Sequence, residues 1–120
     1  MTRLNIYSIQ KSSKVNSIEV RPDGITKLTI LNIANIKKSL LEIIAHKNTR
    51  VYLNLNSLSF IDSSAIECLN QISRIAQLNH SALILTGVSQ ELMELINLVK
   101  QYSILDINEI EPSTVKTKVA

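Results

Sequence analysis

Few residues in this chain are of types that do chemistry: the consecutive Asp62, Ser63 and Ser64, the two histidines His46 and His80, and the single cysteine Cys68. Serine, histidine and aspartate are the parts of a nucleophilic hydrolase, in which a base within about 3 Å of the hydroxyl takes its proton. Spacing opposes that use. The segment from Ser63 to His80 has helical periodicity, and its 17 residues put the two side chains roughly 25 Å apart. His46 falls near the end of an earlier helix, at the same far edge, so no triad forms and no enzyme is expected. Cys68 lies on an apolar stripe, where a cysteine is a core residue rather than a nucleophile or metal ligand. Gly24 and Gly87 are isolated, so no glycine-rich loop cradles a phosphate. Neither a cofactor nor a metal is expected.

The elements that position Asp62-Ser63-Ser64 are legible from periodicity. Ser17-Ile-Glu-Val and Ile25-Thr-Lys-Leu-Thr-Ile read as two strands joined by the turn Arg21-Pro-Asp-Gly, a hairpin. After Asn32, Ile36, Leu40, Ile43 and Ile44 recur at helical spacing, with Asn35 as N-cap and an end near Asn48. Residues 50–56 alternate with period two, placing Val51, Leu53 and Leu55 on one side and Tyr52 on the other. Asp62 then opens a second helix whose stripe is Ala65, Cys68, Leu69, Ile72 and Ala76, ending around Asn79. Residues 81–87 form a short apolar strand. Ser89 caps a third helix with Glu91 in its first turn and Leu92, Leu95, Ile96 and Val99 inward, and Ile104 to Ile107 is a last strand.

This order predicts an α/β fold: a mixed sheet of four to five strands with helices mainly on one face. Helices then start above the carboxyl ends of strands, the edge where sites assemble, and the Asp62 turn lies there. Residues 15–110 are the domain. Residues 1–14 are a basic tail in which Leu4 to Ile9 alternates and could add an edge strand, and residues 111–120 are a second tail.

Composition narrows the partners. The 120 residues, 45% hydrophobic with two Gly, two Pro and one Cys, make one domain and exclude collagen-like, low-complexity and disulfide-scaffold chains. No apolar run reaches the roughly 18 residues of a membrane helix, and the start is not that of a signal peptide, so a cytoplasmic protein without direct membrane insertion is expected. The net charge of +3 does not point to nucleic acid. Between Val15 and Asn108 eight basic residues face eight acidic ones, the excess residing in Arg3, Lys11 and Lys14, and four aromatics cannot interleave a basic face.

The segment from Leu53 to Leu69 is the least generic. A strand, a Leu-Ser-Phe-Ile connection and Asp62-Ser63-Ser64 at a helix start resemble the signature of STAS domains, the fold of bacterial anti-sigma factor antagonists. The likeness extends over about residues 17–108, through Leu28-Thr-Ile and Leu83-Ile-Leu-Thr-Gly-Val. Ala65 stands where the family commonly has Gly, and Glu67 where a second small residue is common. The resemblance implies a non-catalytic regulatory protein whose phosphoacceptor is Ser63, with Ser64 the alternative. Its partner would be a GHKL-type serine kinase that also sequesters a sigma factor, met by a surface of Asn35, Asp62, Ser63, Ser64, Ile66 and Glu67.

Physical chemistry accommodates that role. A serine in the first helical turn sits among unsatisfied N–H groups and positive dipole, and a phosphate adds roughly −1.5 to −2 charge beside Asp62. On the plainer reading Asp62 or Ser63 only caps the helix. Leu41, Ile66, Met93 and Leu98 fall off the inward stripes of their helices, as a docking patch would. STAS domains also serve as subunits or cytoplasmic regions of membrane transporters, including sulfate permeases and a lipid-transport ABC system. A transporter component is the alternative partner, and a purely structural member of a signalling complex is a third use of the fold.

Overall fold

The computed structural model of the chain describes residues 3–11, 16–99 and 106–107. The expected second tail, the rest of the first, the side chain of Val99, and residues 104 and 105 of the last strand lie outside them. The elements in chain order are β1 (Arg3–Lys11), β2 (Asn16–Asp23), β3 (Lys27–Leu28), α1 (Ile33–Ile44), β4 (Thr49–Asn54), β5 (Phe60–Ile61), α2 (Ser63–Leu78), β6 (Ala82–Thr86), α3 (Gln90–Val99) and β7 (Asp106–Ile107). A five-stranded mixed sheet has the order β1-β2-β4-β6-β7, antiparallel only between β1 and β2, and β3 with β5 forms a separate parallel pair.

Register decides which residues form the core. Val20, Leu53, Leu85 and Ile107 stand side by side across four strands, and the first three are fully buried. On this face lie the inward stripes of the helices: Ile36, Leu40 and Ile44 of α1, Leu69 and Ile72 of α2, and Leu92 and Ile96 of α3. Each such leucine or isoleucine contributes about 1.5–3 kcal/mol by leaving water. Alternate residues point to the opposite face, where the row is Glu19, Tyr52 and Ile84. Glu19 is fully buried there, and its carboxylate is met by Arg21 Nε at 2.9 Å and Nη2 at 2.8 Å and by Asn54 Nδ2 at 3.1 Å. A buried charge is tolerated only when it is paired and hydrogen-bonded in this way.

The expected hairpin between residues 17–20 and 25–30 does not form. β2 is flanked by β1 on one side and β4 on the other, so neither of its edges is left for the segment that follows Gly24. Gly24, at φ +71°, turns the chain away, and Lys27–Leu28 pairs instead with Phe60–Ile61, a partner remote in sequence. The hairpin that does open the fold is β1–β2.

α1 also begins earlier than its periodicity suggested. Its N-cap is Asn32, not Asn35, and it stops at Ile44. The Asn32 side chain does not cap the helix; it locks the preceding turn, accepting from Thr29 N–H at 2.9 Å and donating to Lys27 O at 2.8 Å. Asn48 lies beyond the end at φ +60°, a left-handed conformation that asparagine tolerates better than most residues. Leu41, expected off the inward stripe, is partly buried against the core.

Candidate functional site

α2 starts where it does because Asp62 stops the extended chain and satisfies the first turn. Its backbone is extended at φ −96° and ψ 171°, and Ala65 N–H donates to its Oδ1 at 2.8 Å, an N-cap bond to the third helical residue. The second carboxylate oxygen is occupied too, by Ile30 N–H at 3.0 Å from the turn before α1. The Asp62 N–H in turn donates to Leu28 O at 3.1 Å, and Ser59 N–H to Thr26 O at 2.7 Å. Together with the β3–β5 pair, these bonds clamp residues 26–30 to residues 59–62 at the start of α2.

Ser63 is the first helical residue and is exposed, whereas Ser64 is half-buried. Neither amide can find a carbonyl within its own helix. With Asp62 engaged at Ala65, the N-terminus keeps donors and a positive dipole end beside the Ser63 hydroxyl. Glu67 is exposed one turn on. Asn35 is exposed in the first turn of α1, with no hydrogen bond among the described residues joining it to the Asp62 turn.

Ile66 does not belong to the surface. At 2% exposure it is a core residue, against the reading that placed it off the inward stripe. α2 packs against α1, α3 and β6, so its buried arc is wider than one stripe and takes in Asn70 and Ser73 as well. Cys68, read as part of the stripe, is only half-buried; burial nonetheless pushes its thiol pKa up, against the opposing pull of Lys37.

Two residues beside the clamp escaped the sequence reading. Ile30 and Leu31 are 65% and 91% exposed at the tip of the β3–α1 turn, and Phe60, two residues before Asp62, is also exposed. The tip is held by the Asn32 bonds, by Leu31 N–H donating to Thr29 Oγ1 at 3.2 Å, and by Asp62. The run Leu28-Thr-Ile-Leu-Asn-Ile carries the one available signal, being too apolar for an ordinary turn.

The histidines take no part. His46 follows α1 and His80 follows α2, both exposed at the ends of helices remote from Ser63, and His80 has φ +57°. Among the described residues no group of three or more His, Cys, Asp or Glu side chains is arranged to hold a metal. The Asp62 carboxylate beside Ser63 is committed to two N–H groups, and among the described residues no hydrogen bond joins the Ser63 hydroxyl to a base.

Comparison with known proteins agrees with this fold. A family model described as the STAS domain matches residues 13–116. No curated protein matches the chain. Among solved structures, an anti-sigma-factor antagonist (STAS) domain protein from Planctomyces limnophilus is similar over 99% of this chain and 98% of its own, with TM-score 0.70 and 16% identity. The anti-sigma factor antagonist SpoIIAA in its unphosphorylated form is similar over 96% of each chain, with TM-score 0.65 and 14% identity. Its phosphorylated form, described as a Bacillus cell fate determinant, gives TM-score 0.59 at 14% identity over 98% of this chain and 99% of that one. The family match spans most of the sequence, and the architecture agrees with it: the chain belongs to the STAS domain family.

Proposed function

We propose that the chain is a cytoplasmic, non-catalytic binding protein of the anti-sigma factor antagonist kind, switched by phosphorylation of Ser63. The observation that carries this reading is an exposed serine hydroxyl at the first position of α2, beside free helix N-terminal donors and lacking a base of its own. The half-burial of Ser64 favours Ser63 over its neighbour. In a solved relative of the same fold both phosphorylated and unphosphorylated forms exist. Ala65, where the family commonly has Gly, is fully buried and makes the capping bond through its backbone N–H, which any residue type except proline supplies.

The partner is a serine kinase that sequesters a sigma factor. The unphosphorylated surface, with Asp62, Ser63, Ser64, Glu67 and the apolar tip of Ile30 and Leu31, docks on it. A phosphate on Ser63 sets its charge against that contact and ends it. ATP belongs to the kinase. The test is to incubate the chain with the candidate kinase and ATP and to map the product by mass spectrometry. Phosphate on Ser63, absent from Ser63→Ala, is the expected result; equal incorporation by Ser63→Ala removes the proposal. Should the partner be a transporter component instead, the kinase adds no phosphate, and binding to the transporter subunit is insensitive to Ser63→Asp.

A further inference from the structure

Most of the exposed apolar surface is gathered at the two ends of one helix face. Among the described residues seven large apolar side chains are exposed; Ile6 and Leu98 lie elsewhere, and the other five are at the ends of α2. Ile30, Leu31 and Phe60 are beside its first residue, on the segments clamped together at Asp62. Ile75 and Leu78, the latter 80% exposed, are in its last turn. Between these ends the outward stripe is polar. Glu67, Gln71 and Arg74 follow Ser63 at intervals of four, four and three residues and lead on to Leu78, so all five share one exposed face. Glu67 and Arg74 are the only charged residues of α2, and neither has a salt-bridge partner among the described residues. From its first turn to its last, this face presents apolar, acidic, amide, basic and apolar groups in order.

Such a face is complementary to its own reverse. Place a two-fold axis at Gln71 and lay a second α2 antiparallel on the first. At 1.5 Å per residue, Glu67 of one copy is then about 6 Å along the helix from the axis, level with Arg74 of the other at about 4.5 Å. Likewise Ser63 is at about 12 Å and the facing Leu78 at about 10.5 Å, which brings Leu78 to the apolar tip beside Ser63. Both contacts occur twice, as symmetry requires of an isologous interface, and the assembly closes at two copies. A parallel copy would instead set Glu67 against Glu67 and Arg74 against Arg74, which is repulsive. Lys37, which α1 places 3.4 Å from Gln71, adds a cation at the rim of the face, where water screens it.

We infer that the outward face of α2 is a self-association surface, and that its occupant is the same face of a second copy of this chain. The two helices run antiparallel, joined by reciprocal Glu67–Arg74 pairs with apolar contacts at both ends. This dimer covers the Ser63 edge, so self-association and the docking of another protein on that edge exclude one another. The surface is built from side chains other than the serine hydroxyl, and it stands whether or not Ser63 is a phosphoacceptor.

The experiment is sedimentation equilibrium of the full chain and two charge-reversal variants. The parent is expected to dimerise, more weakly as salt is raised. Glu67→Arg alone sets arginine against arginine, and Arg74→Glu alone sets acid against acid. Each variant, changed at an exposed position, is expected to keep the circular dichroism of the folded parent and to dimerise at least about tenfold more weakly. An equimolar mixture of the two restores opposite charges at both contacts and is expected to associate within about threefold of the parent. A parent that stays monomeric up to about 1 mM, single variants that dimerise as tightly as the parent, or a mixture no tighter than its components would each overturn the assignment.

Discussion

At the scale of single residues, Asp62 has the most distinctive position, because one carboxylate holds both the first turn of α2 and the tip of the β3–α1 turn. Asp62→Ala removes both acceptors and is expected to cost about 1–2 kcal/mol in urea unfolding, while Asp62→Asn, a comparable N-cap, loses less than half of that. The Ile30 amide should exchange with solvent faster in the alanine variant, and an unchanged rate would show that the tip is held by its own turn. Ser63→Ala, by contrast, alters an exposed hydroxyl and is expected to stay within about 0.5 kcal/mol of the parent. Burial raises the pKa of Cys68, so less of its thiolate is present at any given pH. Its alkylation at pH 8 should therefore be slower than that of an exposed cysteine peptide, accelerating only as pH rises further. Equal rates would show that the half-burial of Cys68 does not shield its thiol.

At the scale of elements, the capping chemistry of Asp62 and of Ser89, whose Oγ accepts from Leu92 N–H at 3.1 Å, was legible because an N-cap acts on residues three positions away. The period-two run of β4 and the stripes of α2 and α3 were legible for the same local reason. What local pattern could not supply was pairing. Whether residues 17–20 pair with 25–30 or with β1 depends on which neighbour captures each edge, and the partner of Leu28 is Ile61, thirty-three residues on. Ile66 was misplaced because a stripe drawn for one packing surface does not count the neighbours on either side of α2. The exposure of Ile30 and Leu31 was likewise hidden, since it depends on Asp62 drawing that turn against α2.

The two glycines test the same architecture. Gly24, at φ +71°, has open space where a side chain would begin, so Gly24→Ala bears only backbone strain of about 1–2 kcal/mol. Gly87, at φ +65°, would place a Cβ 2.6 Å from Asn54 Oδ1 and 3.1 Å from the Asn56 backbone N. That oxygen accepts from Asn56 N–H, and the same side chain donates to Glu19, so the clash reaches the buried carboxylate. Gly87→Ala should thus lower stability more than Gly24→Ala, read as a larger fall in the urea midpoint. Equal losses would mean that the end of β6 yields around the added carbon.

At the scale of the whole molecule, the fold sets a packed frame beneath the small edge that carries Asp62 and Ser63. The sheet and the inward helix stripes form a continuous core, and the β3–β5 pair joins that core to the turn that presents Ser63. A charge added at this edge is therefore expected to change what the protein binds more than how it folds. The most direct measurement places phosphoserine at position 63 during synthesis and compares the affinity of the modified and unmodified chains for the proposed kinase partner by titration calorimetry. Tight binding by the unmodified chain is expected, with at least about a hundredfold weaker binding by the modified one, some 2.7 kcal/mol, and unfolding midpoints nearly unchanged. Equal affinity of the two forms would contradict it.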